Sequence, residues 1–568
     1  MDSPLRVVVV PTSKGLARPI RWPVVTNARN LILETNGASL NRLEVHDAGS
    51  LDDGPSVTQE QPAGTVRLRA HSFGQGTFFY SRFQDAIVAS TSLRDVAALL
   101  SAAHLDPDAV AGYFACGRCV CTDQSRTFVE GVRCVPAGHE LKISENGVAL
   151  VRCSAPIADE SAILTLPIAA SRLRSTLEAV IGKAANSAAR PAALVSGGLD
   201  SSIVAALLLA VAAGKHPMLV TLRHGLDCPE ERGLQEALAL HLGRDLYVPR
   251  LGQCRVDLSS LEEANKGAAA PSGGLFTGIY REASEQLKDE GIDLLFGGEG
   301  GDEAFAYGPE LVADLLRARE WRLALLSAAR FASEDSEASA ATILRESLPL
   351  AWPRCPGIKN RCLPTAQLRY QRFLRLLLGD GFSEPLTSAF ARYQEDLLLE
   401  SAGGLALSSY INYRRSIEVP FYEPLVGCSG APWPIVCNPL SQRAAVVLGC
   451  SLELKARQSG VANFGTKPLL RAISEGLLPR PVRKAPKVGV ANLVARVTQG
   501  KESELVARIV TANLDDLGIS VSPALSDPRA VPSEFSLSWV LLLLLVVWWR
   551  ELCGFLSRHQ AEAERVGA

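Results

Sequence analysis

Apolar and polar positions divide the chain into three stretches. Up to about residue 143 the apolar runs are short and broken by Gly, Asp, Ser and Pro, as at Arg6–Val10, Thr65–Ala70, Thr77–Tyr80 and Glu140–Ile143. Runs of this length between turn residues predict strands. One helical spacing interrupts them, over Leu93–Ala103. Cys153–Leu164 carries little pattern and reads as a linker. The period then changes. Helices are predicted over Pro167–Ala188, Ile203–Ala213, Arg232–Leu242 and Phe276–Asp289, and strands over Ala192–Val195, Met218–Leu222, Asp245–Val248 and Asp293–Phe296. Such alternation predicts a parallel sheet wrapped by helices, with ligands at the C-terminal strand ends. From about Pro309 the chain reads as helical, punctuated at Pro349–Pro356, Gly379–Pro385 and Pro432–Pro439. The longest apolar run, Trp539–Trp549, falls short of the ~20 residues that span a bilayer and predicts a core helix.

Composition narrows this picture. The 568 residues are 47% hydrophobic and 21% charged, enough for a large core and for about two to four domains. A net charge of -2 leaves no global footprint for nucleic acid or an anionic membrane. Met1–Arg6 lacks the charged-then-apolar layout of a signal peptide. The 13 cysteines are odd in number and scattered, which fits a reducing, cytoplasmic location better than a disulfide framework. Cys116, Cys119 and Cys121 cluster, with Cys134 not far behind, but do not make the CxxC…CxxC pair of a strong zinc site, so structural thiols are expected over a metal.

The densest chemistry is Ala192–Ser202, in which an apolar run ends in Ser196-Gly197-Gly198 and continues Leu199-Asp200-Ser201-Ser202. Strand, glycine turn and helix together make an anion cradle, because glycine lets the backbone approach a ligand and the helix start presents unpaired N–H groups. Ser196, Ser201 and Ser202 add hydroxyls, and Asp200 can hold a hard cation beside the anion. This is not Walker A spacing. A second dense signal follows Phe296: Gly297-Gly298-Glu299-Gly300-Gly301-Asp302-Glu303. Three carboxylates in one turn would repel phosphate, so the arrangement makes sense with Mg²⁺ between them, bridged by Asp200 and Asp302.

The first turn resembles the pyrophosphate loop of ATP pyrophosphatases. The pair together resembles the synthetase domain of the asparagine synthetase family, which includes β-lactam synthetases and lasso peptide cyclases. A third region, Thr466-Lys467-Pro468-Leu469-Leu470-Arg471 with Leu478-Pro479, Val482 and Lys487, is similar to that family's C-terminal pattern. The resemblance implies several roles. Lys487, with Lys467, is catalytic. ATP lies against Leu194, Val195, Ser196, Gly197, Gly198, Asp200, Ser201, Leu219, Leu222, Gly298, Glu299, Gly300 and Gly301, with Arg223 and Glu231 completing the nucleotide site. Mg²⁺ lies on Asp200 and Asp302. A fixed cation stabilises the oxyanion and leaving phosphate of an acyl-adenylate under attack.

Departures gather in the acceptor region. Glu418-Val419 precedes Pro420-Phe421 where the family has an arginine, Glu423 stands for an aspartate, and Ala485 replaces an arginine before Lys487. They argue against plain asparagine synthesis. Tyr410 and Tyr413 are candidate bases for an attacking amine.

Asp106–Phe114, Thr127–Val135 and Pro136–Leu141 resemble the later half of the glutaminase domains that precede such synthetases. Their nucleophile is an N-terminal cysteine, whereas the first cysteine here is Cys116. Removing Met1 exposes none, and Ser3 or Thr12 would act only after further trimming. The expected architecture is therefore α/β. A degenerate glutaminase-like β-rich sandwich domain over 1–155 is followed over 166–568 by a parallel-sheet ATP-pyrophosphatase domain with a largely helical extension. With no ammonia from glutamine in this chain, the simplest amine belongs to the substrate itself. The expected function is that of a lasso peptide cyclase. ATP activates an Asp or Glu side chain of a precursor peptide, and the peptide's N-terminal amine closes a macrolactam. A leader peptidase and a leader-binding protein are the implied partners. The alternatives are a β-lactam or ammonia-dependent asparagine synthetase, or a non-catalytic ATP-binding regulator.

Overall fold

The computed structural model describes residues 8–11, 56–60, 65–70, 77–83, 86–90, 92–100, 102–115, 124–144, 147–153, 163–223, 229–250, 265, 268–271, 277–334, 339–352, 365–391, 406–412, 435–463, 467–485, 514, 517, 519–522 and 536–567. The predicted cysteine cluster at 116–121, the acceptor segment 413–434 and Lys487 lie outside these residues.

The first part is antiparallel. Strands β1 (Val8–Pro11), β4 (Phe79–Phe83), β5 (Ala86–Ser90) and β6 (Arg133–Cys134) form one sheet in the order β1-β5-β4-β6. Strands β2 (Ser56–Glu60), β3 (Thr65–Arg69), β7 (His139–Ser144) and β8 (Gly147–Arg152) form a second, in the order β2-β3-β7-β8. Leu68, Leu141 and Ile143 of one sheet share a core with Phe78, Ile87 and Ala89 at the other. The predicted helix from Leu93 is shorter than expected: α1 covers Leu93–Ala97, and tight turns follow, Leu99 N–H to Val96 O and Leu100 N–H to Ala97 O. A helix missed in the pattern, α2 (Pro107–Ala115), starts where Asp106 Oδ1 accepts the N–H groups of Asp108 and Ala109, at 3.0 and 3.2 Å.

Leu164, the end of the predicted linker, is docked: its N–H reaches Ser451 O at 2.8 Å and its carbonyl accepts from Glu453. Helix α3 (Leu166–Ser187) buries Ala169, Leu173, Leu177, Ile181, Ala184 and Ala185, a stripe at three- and four-residue spacing. Burying each of its large side chains contributes roughly 1.5–3 kcal/mol.

The sheet that follows is parallel. Its strands are β9 (Pro191–Leu194), β10 (Met218–Val220), β11 (Leu246–Tyr247), β12 (Leu294–Phe296) and β13 (Ile435–Cys437), in the order β11-β10-β9-β12-β13. Helices α4 (Leu199–Val211), α5 (Pro229–Leu242) and α6 (Thr277–Asp289) connect them. Two differences from the sequence reading matter. Helix α4 begins four residues earlier than Ile203, so Asp200, Ser201 and Ser202 sit in its first turn rather than in a loop before it. The stretch read as a break at Pro432–Pro439 holds β13, a fifth strand too short to leave a periodic signal. Register places Ala193 beside both Leu219 and Phe296. The chain leaves the central strand β9 toward β10 and returns to the other side as β12. The crevice between the ends of β9 and β12 is thus the switch point where ligands bind in open α/β sheets.

Beyond the sheet lie α7 (Gly301–Phe305), α8 (Glu310–Arg317), α9 (Trp321–Glu334), α10 (Ala340–Ala351), α11 (Thr365–Leu378), α12 (Arg443–Cys450), α13 (Leu454–Asn463), α14 (Pro468–Ile473), α15 (Arg480–Lys484) and α16 (Ser536–Gly567). The apolar run Trp539–Trp549 is the first part of α16, whose 32 residues extend well beyond it. Among the described residues no helix is long and apolar enough to cross a membrane. Instead α16 joins distant parts of the chain. Leu541–Leu545 and Trp548 share a core with Leu93, Phe114 and Phe128 and with Phe373, Leu374, Leu377 and Leu378. Trp548 Nε1 donates to Ala268 O at 2.9 Å, and its ring lies 5.5 Å from that of Phe128.

Trp548 is 1% exposed, so Trp548→Ala should cost about 3–5 kcal/mol by opening a cavity and stranding that carbonyl. Urea denaturation followed by circular dichroism checks this, with Trp548→Phe expected to lose less.

Candidate active site

The site is built where β9 and β12 end side by side. Past β9, Val195 still pairs with Val220 at 2.7 Å, and the chain then turns through Ser196, Gly197 and Gly198 into α4. The turn is internally bonded: Ser196 and Ser201 hydroxyls are 2.9 Å apart, and Ser202 Oγ donates to Gly198 O at 2.6 Å. Gln235 on α5 donates to Ser196 O at 3.3 Å and fixes the turn from behind. Asp200 carries negative charge in the first turn of α4, where the helix dipole favours it.

Past β12 the chain turns through Gly297–Gly300 into α7. The two turns touch. A Cβ on Gly298 would lie 2.6 Å from the Ser201 nitrogen, and one on Gly301 would fall on the Asp200 carboxyl carbon. Only glycine allows that approach. The acidic turn is also backed by the loop after β13. Asn438 Nδ2 donates to Glu299 Oε2 at 2.7 Å, and Ser441 Oγ donates to Glu299 O at 3.0 Å. Gly300 adopts φ +92, and a Cβ there would lie 2.6 Å from Ser441 N.

The cation arrives from the far end of the chain. Helix α14 packs against α3, α4 and α7, with Leu469 and Leu470 fully buried. Lys467 caps its start, next to Pro468, and therefore reaches between the first turns of α4 and α7. Its Nζ contacts Asp200 Oδ2 and lies 2.6 Å from Asp302 Oδ1. Burial pulls the Lys467 ammonium down, but Asp200 and Asp302 more than reverse it, so its pKa stands above the usual lysine value. The Lys467 and Asp200 side chains are 10% and 18% exposed and that of Asp302 is 42%, so the trio opens to solvent on the Asp302 side.

The three carboxylates of the acidic turn do different work. Asp302 meets Lys467. Glu303 Oε2 accepts from Gly300 N–H at 3.0 Å and caps α7. The Glu299 carboxyl group is buried; that burial, reinforced by the Glu303 charge and opposed by the Asn438 hydrogen bond, pushes it up to about 8. It is thus largely protonated at neutral pH. Among the described residues no three His, Cys, Asp or Glu side chains form a metal cage. Two carboxylates at neighbouring strand ends still fit Mg²⁺, which takes one or two carboxylates and completes its shell with phosphate and water.

Of the sequence-predicted residues, the structure brings together Leu194–Ser201, Gly298–Asp302 and Lys467. Leu219 is in β10 and buried, Leu222 is half-buried just past its end, and Arg223 is exposed beside it. Glu231 approaches through its backbone: a Cβ on Gly197 would lie 3.0 Å from its carbonyl. Tyr410 is 4% exposed within the core. Three residues escaped the sequence reading: Gln235, Asn438 and Ser441. The second and third follow β13, which is too short to leave a periodic signal in the sequence.

Fold and site define a class: an open parallel α/β sheet with two glycine turns, an acidic pair and a lysine at its switch point. Residues 172–356 match the family model described as asparagine synthase. The match contains both glycine turns and ends before β13 and Lys467. No curated protein matches the chain. A match to this family supports ATP-dependent formation of amide bonds in general.

Gly298→Ala should weaken nucleotide binding by roughly 5- to 150-fold, since the Cβ meets backbone that cannot yield, at a cost of about 1–3 kcal/mol. Gly214→Ala, with nothing within 4 Å, should bind as wild type in the same calorimetric titration.

Glu299 keeps its proton in the folded state to about 8 and loses it near 4.5 when unfolded. Between those values the native state binds more protons, so stability should fall as pH rises from about 4.5 to 8. Glu299→Gln should flatten that slope. Melting temperatures of both proteins across this range test it, and a difference that is constant with pH would contradict it.

Proposed function

We propose that this chain is an ATP-dependent macrolactam synthetase acting on a precursor peptide. The observation that carries the ATP half is the contact of the two glycine turns, which aligns the start of α4 with Asp200, Asp302 and Lys467. The first step is R–COO⁻ + ATP → R–CO–AMP + PPi, with an Asp or Glu side chain of the peptide as R–COO⁻. The second is attack by the peptide's N-terminal amine, which forms the amide and releases AMP and a proton.

The residues divide the labour. The N–H groups that begin α4 and the Ser196 and Ser201 hydroxyls offer donors to phosphate oxygens. Asp200 and Asp302 would hold Mg²⁺, which offsets charge on the pyrophosphate leaving group. Lys467 supplies a fixed positive charge at the same place, and Lys487 is assigned to the charge that develops during amine attack. Holding carboxylate, ATP and amine in one site contributes roughly 7–11 kcal/mol where alignment is good.

The intramolecular amine is supported by the chain's first 115 residues, which contain no cysteine to release ammonia from glutamine. The departures at Glu418, Glu423 and Ala485 favour an acceptor other than the one used in asparagine synthesis.

Pyrophosphate release is the test. Wild type should release PPi with a peptide bearing a free N-terminus and an acidic side chain. Asp200→Ala and Lys487→Ala should lose at least about a hundredfold, as expected for loss of a transition-state contact. No PPi with any carboxylate or peptide would overturn the enzyme reading. PPi with aspartate plus ammonia but not with peptide would overturn the cyclase reading.

A further inference from the structure

We infer that Lys467 makes the two-carboxylate site selective for a metal–triphosphate complex over the free metal ion. This rests on the ATP reading of the site and says how it is loaded.

The ammonium occupies the ground a divalent cation would need. Its Nζ contacts Asp200 Oδ2 and Asp302 Oδ1, from a side chain only 10% exposed. Its position is set by α14, held in the core by Leu469 and Leu470. A further carboxylate of the same turn, Glu303, is engaged at Gly300 N–H. Arg471, one helical turn on, interacts with the Asp200 charge as well, and its guanidinium donates to Arg483 O.

A bare metal ion therefore meets two unfavourable choices. If it displaces Lys467, a buried ammonium loses both acceptors, and breaking such a pair is strongly destabilising. If Lys467 stays, two cations compete for the same oxygens at close range in a site of low effective dielectric. A triphosphate removes the conflict, since its oxygens accept the ammonium while the carboxylates turn to the metal. Metal and triphosphate should then bind with positive coupling, and that coupling is reciprocal. Lys467 thus offsets part of the acidic pair's charge before the nucleotide arrives and admits the metal only with it.

Mn²⁺ is the probe, because its free-ion paramagnetic signal reports binding directly. The full-length protein is titrated with Mn²⁺ alone, and again with saturating α,β-methylene-ATP after correction for Mn²⁺ held by the analogue in solution. Wild type should bind Mn²⁺ at least tenfold more tightly with the analogue. Lys467→Met should bind Mn²⁺ alone at least tenfold more tightly than wild type, and adding Asp302→Asn should remove that gain. Folding of each variant is checked by circular dichroism, and the wild-type coupling decides the matter should Lys467→Met not fold. Wild type that binds the analogue without coupling to Mn²⁺, or a folded Lys467→Met with unchanged or weaker Mn²⁺ affinity, overturns the proposal and leaves the ATP reading standing. Wild type that binds no analogue with or without Mn²⁺ overturns both.

Discussion

Two backbone turns approach each other more closely than any side chain would allow, and the site depends on that approach. Gly298 lies against the Ser201 nitrogen and Gly301 against the Asp200 carboxylate. The turns belong to β9 and β12, which are adjacent in the sheet although about a hundred residues separate them in sequence. Parallel register brings Ala193 level with Phe296, so the turns leave the sheet at the same height. Asp200 and Asp302 then stand in the first turns of two helices that start side by side.

Such a concentration of negative charge needs neutralising, and the protein does so in three ways. Lys467 bridges Asp200 and Asp302. Glu303 accepts the Gly300 N–H at the helix start, and burial raises its pKa. Glu299 is buried with Asn438 as donor, and burial favours its protonated form. One turn thus holds three acidic side chains with three different partners. The same low dielectric that makes an unpaired carboxylate costly there strengthens every donor aimed at a phosphate.

The rest of the molecule acts as support. Helix α14 brings the lysine because its apolar face packs on α3, α4 and α7. The loop after β13 stiffens the acidic turn through Asn438 and Ser441. Helix α16 ties the first sheets of the chain to the helices around Phe373–Leu378, with Trp548 at the junction.

Much of this was legible in the sequence, because strand–turn–helix units write their chemistry locally. Ser196–Ser202 and Gly297–Glu303 each hold their glycines, hydroxyls and carboxylates within a few residues, and the strand and helix periods around them predicted a parallel sheet with both turns at its C-terminal edge. Whatever depends on contacts between distant segments was not legible. The start of α4 at Leu199 is one case, since Asp and Ser suit a loop, a cap or a first helical turn alike and the apolar spacing begins only at Ile203. Strand β13 is another: three residues between prolines form a strand because β12 offers an open edge. The motif around Lys467 was legible, but its meeting with Asp200 spans 267 positions and follows from the packing of Leu469 and Leu470. Sequence alone determined which groups this site contains; only the tertiary structure decided which carboxylates face the ammonium and which turn inward, because burial and distance between segments set their charge.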